Sequence, residues 1–344
     1  MSFESSRGNK NPESSSWDWD AIAKKSQAEL GREAKNYASE HADVARIFDE
    51  LLNPINMNSL KEVFLEDALR SGVLPTEMNF IPREHIYLLG EENDWDTATF
   101  GYYNPMGDYI AVRAGAITSI ERIKDPATQF CRFLRHIIHE EGHAASTRTL
   151  GMRRVRTGYH VQEGNFPLRA LAKRFLPFYK QKPPRMLFFV FNEGVNEMIS
   201  DRIIRRYLDR YPATLKNGQI VNTKSYETAL KNFPNFNSRR YSAYQAFVEQ
   251  FSEYIERICG MPAGKVQEAL IAGFYSGTDL PEDLLDETVG PGFTRALADA
   301  DTGEKLIELV GAYNFPNEHG EGVKEEISRK WRSYTDRIKE NPRT

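Results

Sequence analysis

A chain of 344 residues, 40% of them hydrophobic, is long enough to bury a full core as one large or two modest domains. Its net charge of −4, from 45 basic and 49 acidic residues, gives no global attraction to nucleic acid or to an anionic membrane surface. Only two cysteines occur, Cys131 and Cys259, which excludes a disulfide scaffold or a cysteine-rich metal cluster and reads as buried, reduced thiols.

Residues 1–17 are rich in Ser, Asn, Gly and Pro and are expected to form a flexible tail. They carry no apolar segment of the signal-peptide kind, and no run approaches the length of a membrane span, so a cytoplasmic protein is the expectation. A helical part follows over 21–75: one stretch from Ala21 to Leu52, then a helix opened by Ser59 and Glu62 as a capping pair and stopped near Gly72. Over 83–115 the texture turns aromatic and β-branched, in "EHIYLLG", "TATFGYY" and "DYIAVRA", which predicts a small sheet with a hairpin at "NPMG". Asp125 as N-cap, Pro126 at the first helical position and Gly151 past the end frame one long helix, "PATQFCRFLRHIIHEEGHAASTRTL".

Residues 151–185 read as a long connection interrupted by Pro167, Pro177, Pro183 and Pro184, with nine Lys or Arg against the single acid Glu163. The bland reading of that charge is a solvated face; the functional one is a surface for an acidic substrate or partner. "MLFFVF" then leads into a second helix, "NEGVNEMISDRIIRRYLDRY", within a metal-site region spanning 126–210. A helical bundle is expected over 225–313 and a charged C-terminal helix over 321–344, outside a catalytic domain of residues 18–320.

The chemistry concentrates in "RHIIHEEGHAAS". Positions i and i+4 share one helix face, so His139 and His143 can both offer a ring nitrogen to one metal ion. Glu140 is rotated away from that pair and can act as general base on a water in an open metal position. The alternative is a buried amphipathic helix with two incidental histidines. A catalytic zinc needs a third protein ligand. Ser146 and Thr149 stand where the arrangement HExxHxxGxxH needs its Gly and its third His, so the ligand must come from another element. "FNEGVNEMISD", with Glu193, Glu197 and Asp201, is the obvious source.

These two segments together resemble the gluzincins, zinc peptidases in which HExxH is completed by a glutamate on a following helix. The resemblance covers roughly residues 97–210 and implies an α+β, zincin-like metallopeptidase core with a predominantly helical remainder. Two registers are open. The NEG pattern makes Glu193 the ligand and Glu197 the acid that accepts a ligand histidine's free N–H; the NExxSD pattern makes Glu197 the ligand and Asp201 that acid. We favour Glu193. Fifty residues separate His143 from Glu193, a gap that resembles a divergent branch rather than the thermolysin-like or aminopeptidase-like enzymes.

The implied activity is zinc-dependent hydrolysis of a peptide or protein substrate, with His139, His143 and Glu193 on Zn²⁺ and Glu140 as base. No nucleic-acid partner is expected. The rival reading is a metal-binding regulatory or interaction protein that cleaves nothing. Candidate donors to an oxyanion are Tyr241, Tyr244 and His160, with Tyr226 and Tyr275 also considered. Ile110–Arg113 reads either as an edge strand lining the cleft or as an ordinary buried strand.

Overall fold

The computed structural model describes residues 19–73, 78–90, 100–104, 107–146, 148–155, 158–165, 189–232, 239–258 and 260–276. The tail, the later part of the expected bundle, the C-terminal helix, Cys259 and residues 166–188 of the basic stretch lie outside the described residues. Within them the protein is α+β and mostly helical, with one small mixed sheet and two two-stranded ladders. No described helix is long and apolar enough to cross a membrane.

Three helices open the chain: α1 (Trp19–Glu40), α2 (Ala42–Leu52) and α3 (Met57–Arg70). The stretch from Ala21 to Leu52, expected to be helical, is divided into two helices at His41, whose φ of −128° and ψ of 54° leave the helical region. Asn56, rather than Ser59, caps α3: its side chain accepts the Ser59 N–H at 3.1 Å, which places Ser59 inside the first turn. Gly72, at φ 78°, closes the far end in the left-handed conformation that glycine adopts without strain.

The mixed sheet comprises β1 (Ile86–Leu89), β2 (Gly101–Asn104) and β3 (Tyr109–Arg113) in the order β1-β3-β2. β1 runs parallel to β3, and β2 antiparallel to it. Of the two readings of Ile110–Arg113, the cleft edge is therefore wrong and the ordinary buried strand holds. That strand is central, and its main-chain groups are taken up by neighbours on both sides. Among the described residues β2 is the outer strand on the side of the long helix.

After α4 (Ala114–Glu121) comes α5 (Pro126–Ala145), begun by Asp125, whose side chain accepts the Thr128 N–H at 3.0 Å. The helix ends five residues before the expected Leu150. Ser146 turns extended at φ −69°, ψ 154°, and its hydroxyl donates to the His143 carbonyl at 2.8 Å, satisfying one of the last-turn acceptors. The chain then enters an antiparallel hairpin of β4 (Arg148–Val155) and β5 (Gly158–Asn165), so the first part of the stretch read as a connection is regular. Next come α6 (Phe189–Arg210), the short ladder of β6 (Ala213–Thr214) and β7 (Ile220–Val221), then α7 (Thr223–Asn232), α8 (Arg239–Ile258) and α9 (Lys265–Ser276).

Helix α5 is the axis of the core. Fifteen of its twenty residues are buried, so it has no solvated face comparable to that of a surface helix. Phe130, Phe133, Leu134, Ile137 and Ile138 are fully buried, and burial of each contributes about 1.5–3 kcal/mol. Cys131 is among these buried residues, and burial pushes its thiol up to about 12, consistent with an inert core thiol. Helix α6 lies against α5, and α8 lies against α6, so both motif-bearing helices are held from several sides.

Candidate metal centre

Spacing on the two helices builds the site. Arg135, His139 and His143 stand at four-residue intervals on α5, and Glu193, Glu197 and Asp201 at the same interval on α6. Contacts run His143 to Glu193, His139 to Glu193 and Glu197, and Arg135 to Glu197 and Asp201, so the helices are antiparallel and their side chains interleave.

At one end of this ladder three lone-pair atoms converge. His139 Nε2 and His143 Nε2 are 3.1 Å apart; Glu193 Oε2 is 3.2 Å from the first, and Glu193 Oε1 is 3.4 Å from the second. The three residues form a group able to hold a metal ion. Behind it, Nδ1 of His139 faces Glu197 Oε1 at 2.9 Å. A proton on Nδ1 directed at that carboxylate leaves Nε2 as an acceptor. With the proton of His143 likewise on its Nδ1, two imidazole acceptors and a carboxylate would point at one another, an arrangement that a cation or a proton at the centre relieves; with it on Nε2, His143 donates to His139. The buried Oε2 of Glu193 makes no hydrogen bond of good geometry to any described group, so the donor set fits a metal ion.

The charges follow from this geometry. Burial opposes ionisation of His139, but Glu197 and Glu193 outweigh it and hold the imidazole well above its usual range. Glu193 is held low, against its burial, by His143 and His139. Glu197 is lowered to about 2, also against burial, by Arg135 and His139.

Glu140 is buried beside the centre. Its Oε2 accepts the main-chain N–H of Tyr103 in β2 at 2.8 Å, and burial raises its carboxyl above the usual glutamate value. Tyr103 is itself fixed, its hydroxyl donating to Asp108 Oδ1 at 3.1 Å. Glu141, the other acid of the motif, points elsewhere: its Oε2 accepts the Ile81 N–H at 3.0 Å, and burial lifts it well above the glutamate range.

Two glycines set how closely the helices approach. A Cβ on Gly142 would collide with the Asn196 side-chain oxygen, while the amide nitrogen of Asn196 donates to the His139 carbonyl at 2.8 Å. A Cβ on Gly194 would lie 2.6 Å from the Tyr244 main-chain oxygen and 2.6 Å from Val248 Cγ2, so glycine admits α8.

Of the two registers, the structure brings Glu193 to the histidine Nε2 atoms and sets Glu197 on Nδ1; Asp201 lies one turn further along, with Arg135 and Arg205. Tyr226 and Tyr275 do not face the centre as donors: their hydroxyls donate to Asp201 at 3.0 Å and Asp67 at 3.1 Å. Tyr244 is buried on α8, and its main-chain oxygen abuts Gly194. His160 stands opposite Arg153 in the β4–β5 ladder; its side chain and that of Tyr241 lie outside the described residues. The sequence reading gave Arg135 no role and took Asn196 only as the first residue of the NExxSD pattern. Arg135 was detectable, because it sits one helical turn before His139; the bond of Asn196 to the His139 carbonyl emerges only when the two helices meet.

A comparison of the chain with protein-family models, with curated proteins and with solved structures finds no match. The chain is thus a mostly helical α+β protein with a His139, His143 and Glu193 group able to bind a metal, and its own residues carry the functional argument.

Proposed function

We propose that the protein is a zinc-dependent metallohydrolase, a peptidase of the gluzincin kind. The observation that carries this reading is the convergence of His139 Nε2, His143 Nε2 and Glu193 with the separate carboxylate of Glu140 held beside them by the Tyr103 amide. Two imidazoles and one carboxylate suit Zn²⁺, which when bound supplies a Lewis acid and lowers the pKa of water at its open position.

The residues divide the work. His139, His143 and Glu193 would hold the ion, and Glu197 orients His139 through Nδ1. Glu140 takes the proton of the attacking water and returns it to the leaving nitrogen. The Tyr103 N–H holds one carboxylate oxygen and so fixes where the other can point.

The test combines metal analysis with Glu140→Gln. Purified protein is expected to contain stoichiometric zinc and to cleave members of a peptide library; Glu140→Gln keeps the zinc and loses cleavage by about 10²-fold or more. Undiminished cleavage by that variant refutes the mechanism. Zinc binding without cleavage of any peptide favours a regulatory metal-binding role, and selective uptake of iron excludes zinc hydrolysis.

A further inference from the structure

The polar ladder continues past the residues that would touch a metal. Glu197 is shared: Oε1 faces His139 Nδ1, while Oε2 accepts Arg135 Nη2 at 2.5 Å. Both side chains of that second pair are nearly inaccessible, at 4% and 5% exposure. The other guanidinium nitrogen, Nη1, donates to the Tyr226 hydroxyl and lies 3.5 Å from Asp201 Oδ1. Tyr226 in turn donates to Asp201, whose second oxygen pairs with Arg205 at 2.9 Å.

We propose that Arg135 is a positioning residue for the metal centre: it fixes the Glu197 carboxylate, and through it the ring of His139, while Tyr226 of α7 fixes Arg135. This rests on the metal-binding reading above. A carboxylate held from one side only can rotate about its terminal bond. Held between an imidazole and a guanidinium it has one orientation, and so does the ring it faces. Arginine suits the place because its planar fork serves Glu197 with one nitrogen and the Tyr226–Asp201 pair with the other; an ammonium offers no such fixed fork. A buried ion pair is weak evidence for stability, since well-packed apolar side chains often replace one without loss. The position of this pair, directly behind a ligand histidine, gives it a use that packing alone does not.

The experiment is a double-mutant cycle read by metal affinity. Zinc is titrated against a chromophoric chelator in the full chain, in Arg135→Met, in Glu197→Gln and in the double variant, and the visible spectrum of each cobalt(II) form is recorded. Arg135→Met is expected to weaken zinc binding by about 10–100-fold and to change the cobalt spectrum. Arg135→Lys recovers part of the affinity. In the Glu197→Gln background Arg135→Met costs less than about threefold, because its route to His139 is already cut. Should Arg135→Met not fold, Tyr226→Phe keeps the charge, removes one hydroxyl and is expected to show the same non-additivity with a loss of about threefold to tenfold. Additive losses, or unchanged affinity with an unchanged cobalt spectrum, overturn the role of Arg135 and leave the metal site standing. A parent protein that takes up neither ion overturns both readings.

Discussion

Helix α6 carries a buried ionic cluster on each of two faces, and the two are built on opposite logic. Toward α3 and α9, the single carboxylate of Asp67 receives Arg202, Arg206 and the Tyr275 hydroxyl, so one acceptor meets three donors. Toward α5, Glu193 meets two imidazole nitrogens, and the three groups offer lone pairs to a common point. The first cluster gives both Asp67 oxygens a donor and ties three helices together, although Arg202 Nε is buried without a hydrogen-bond partner among the described residues. The second aims its lone pairs at one point, where a cation or a shared proton would satisfy them, so it suits a binding site rather than a fastening.

That contrast can be broken experimentally. The largest effect expected is ligand linkage: zinc at about 1,000 times its dissociation constant should stabilise the protein by about 4 kcal/mol. Asp67→Ala should retain that increment and Glu193→Ala should lose it, as urea unfolding with and without zinc will show. Chelated protein should remain folded, since the core around α5 does not depend on the ion. Loss of all cooperative unfolding on chelation would make the site structural.

Next in size, Asp67→Ala should cost about 2–3 kcal/mol in metal-free protein, by stranding donors that are only partly able to rehydrate, with zinc affinity unchanged. Gly142→Ala should fall on both readouts. Its Cβ meets Asn196, so about 1–3 kcal/mol of stability is lost. Zinc affinity drops about tenfold as the His139 backbone shifts. Equal zinc affinity in Gly142→Ala and parent would show that the helix contact does not position the ligand.

The smallest effect sharpens the comparison with a carboxylate bonded to neutral donors. Burial raises Asp108 above its usual value, while Asn79 and then His85 partly offset it. The folded state therefore holds this proton more tightly than the unfolded one. The associated stability is full below the ordinary aspartate pKa and is lost as pH rises through the folded value. Asp108→Asn keeps an acceptor for Asn79 and Tyr103. Its stability relative to parent should rise between about pH 4 and pH 7, followed by thermal melts across that range.

Some of this was legible before any coordinates. Asp125 and Pro126 announced the start of α5, and the i, i+4 histidines and the acids of "FNEGVNEMISD" announced both halves of the centre, because helical spacing maps directly onto one face. The end of α5 was not legible. "STRTL" is compatible with a helix, and only the Ser146 hydroxyl on the His143 carbonyl and the pairing of β4 with β5 stop it. The place of β3 was equally hidden, since an apolar strand reads alike whether central or at an edge.

The sequence by itself determined which residues have the chemistry to hold a metal and act as base, since residue type and a four-residue period are local properties. Tertiary structure alone decided which glutamate meets the two Nε2 atoms, because Glu193 and Glu197 occupy the same helix face and differ only by one turn of α6 against α5. That axial offset is fixed where Gly142 meets Asn196 and Gly194 meets α8. Close packing of helices distant in the chain sets it, and no local pattern encodes it.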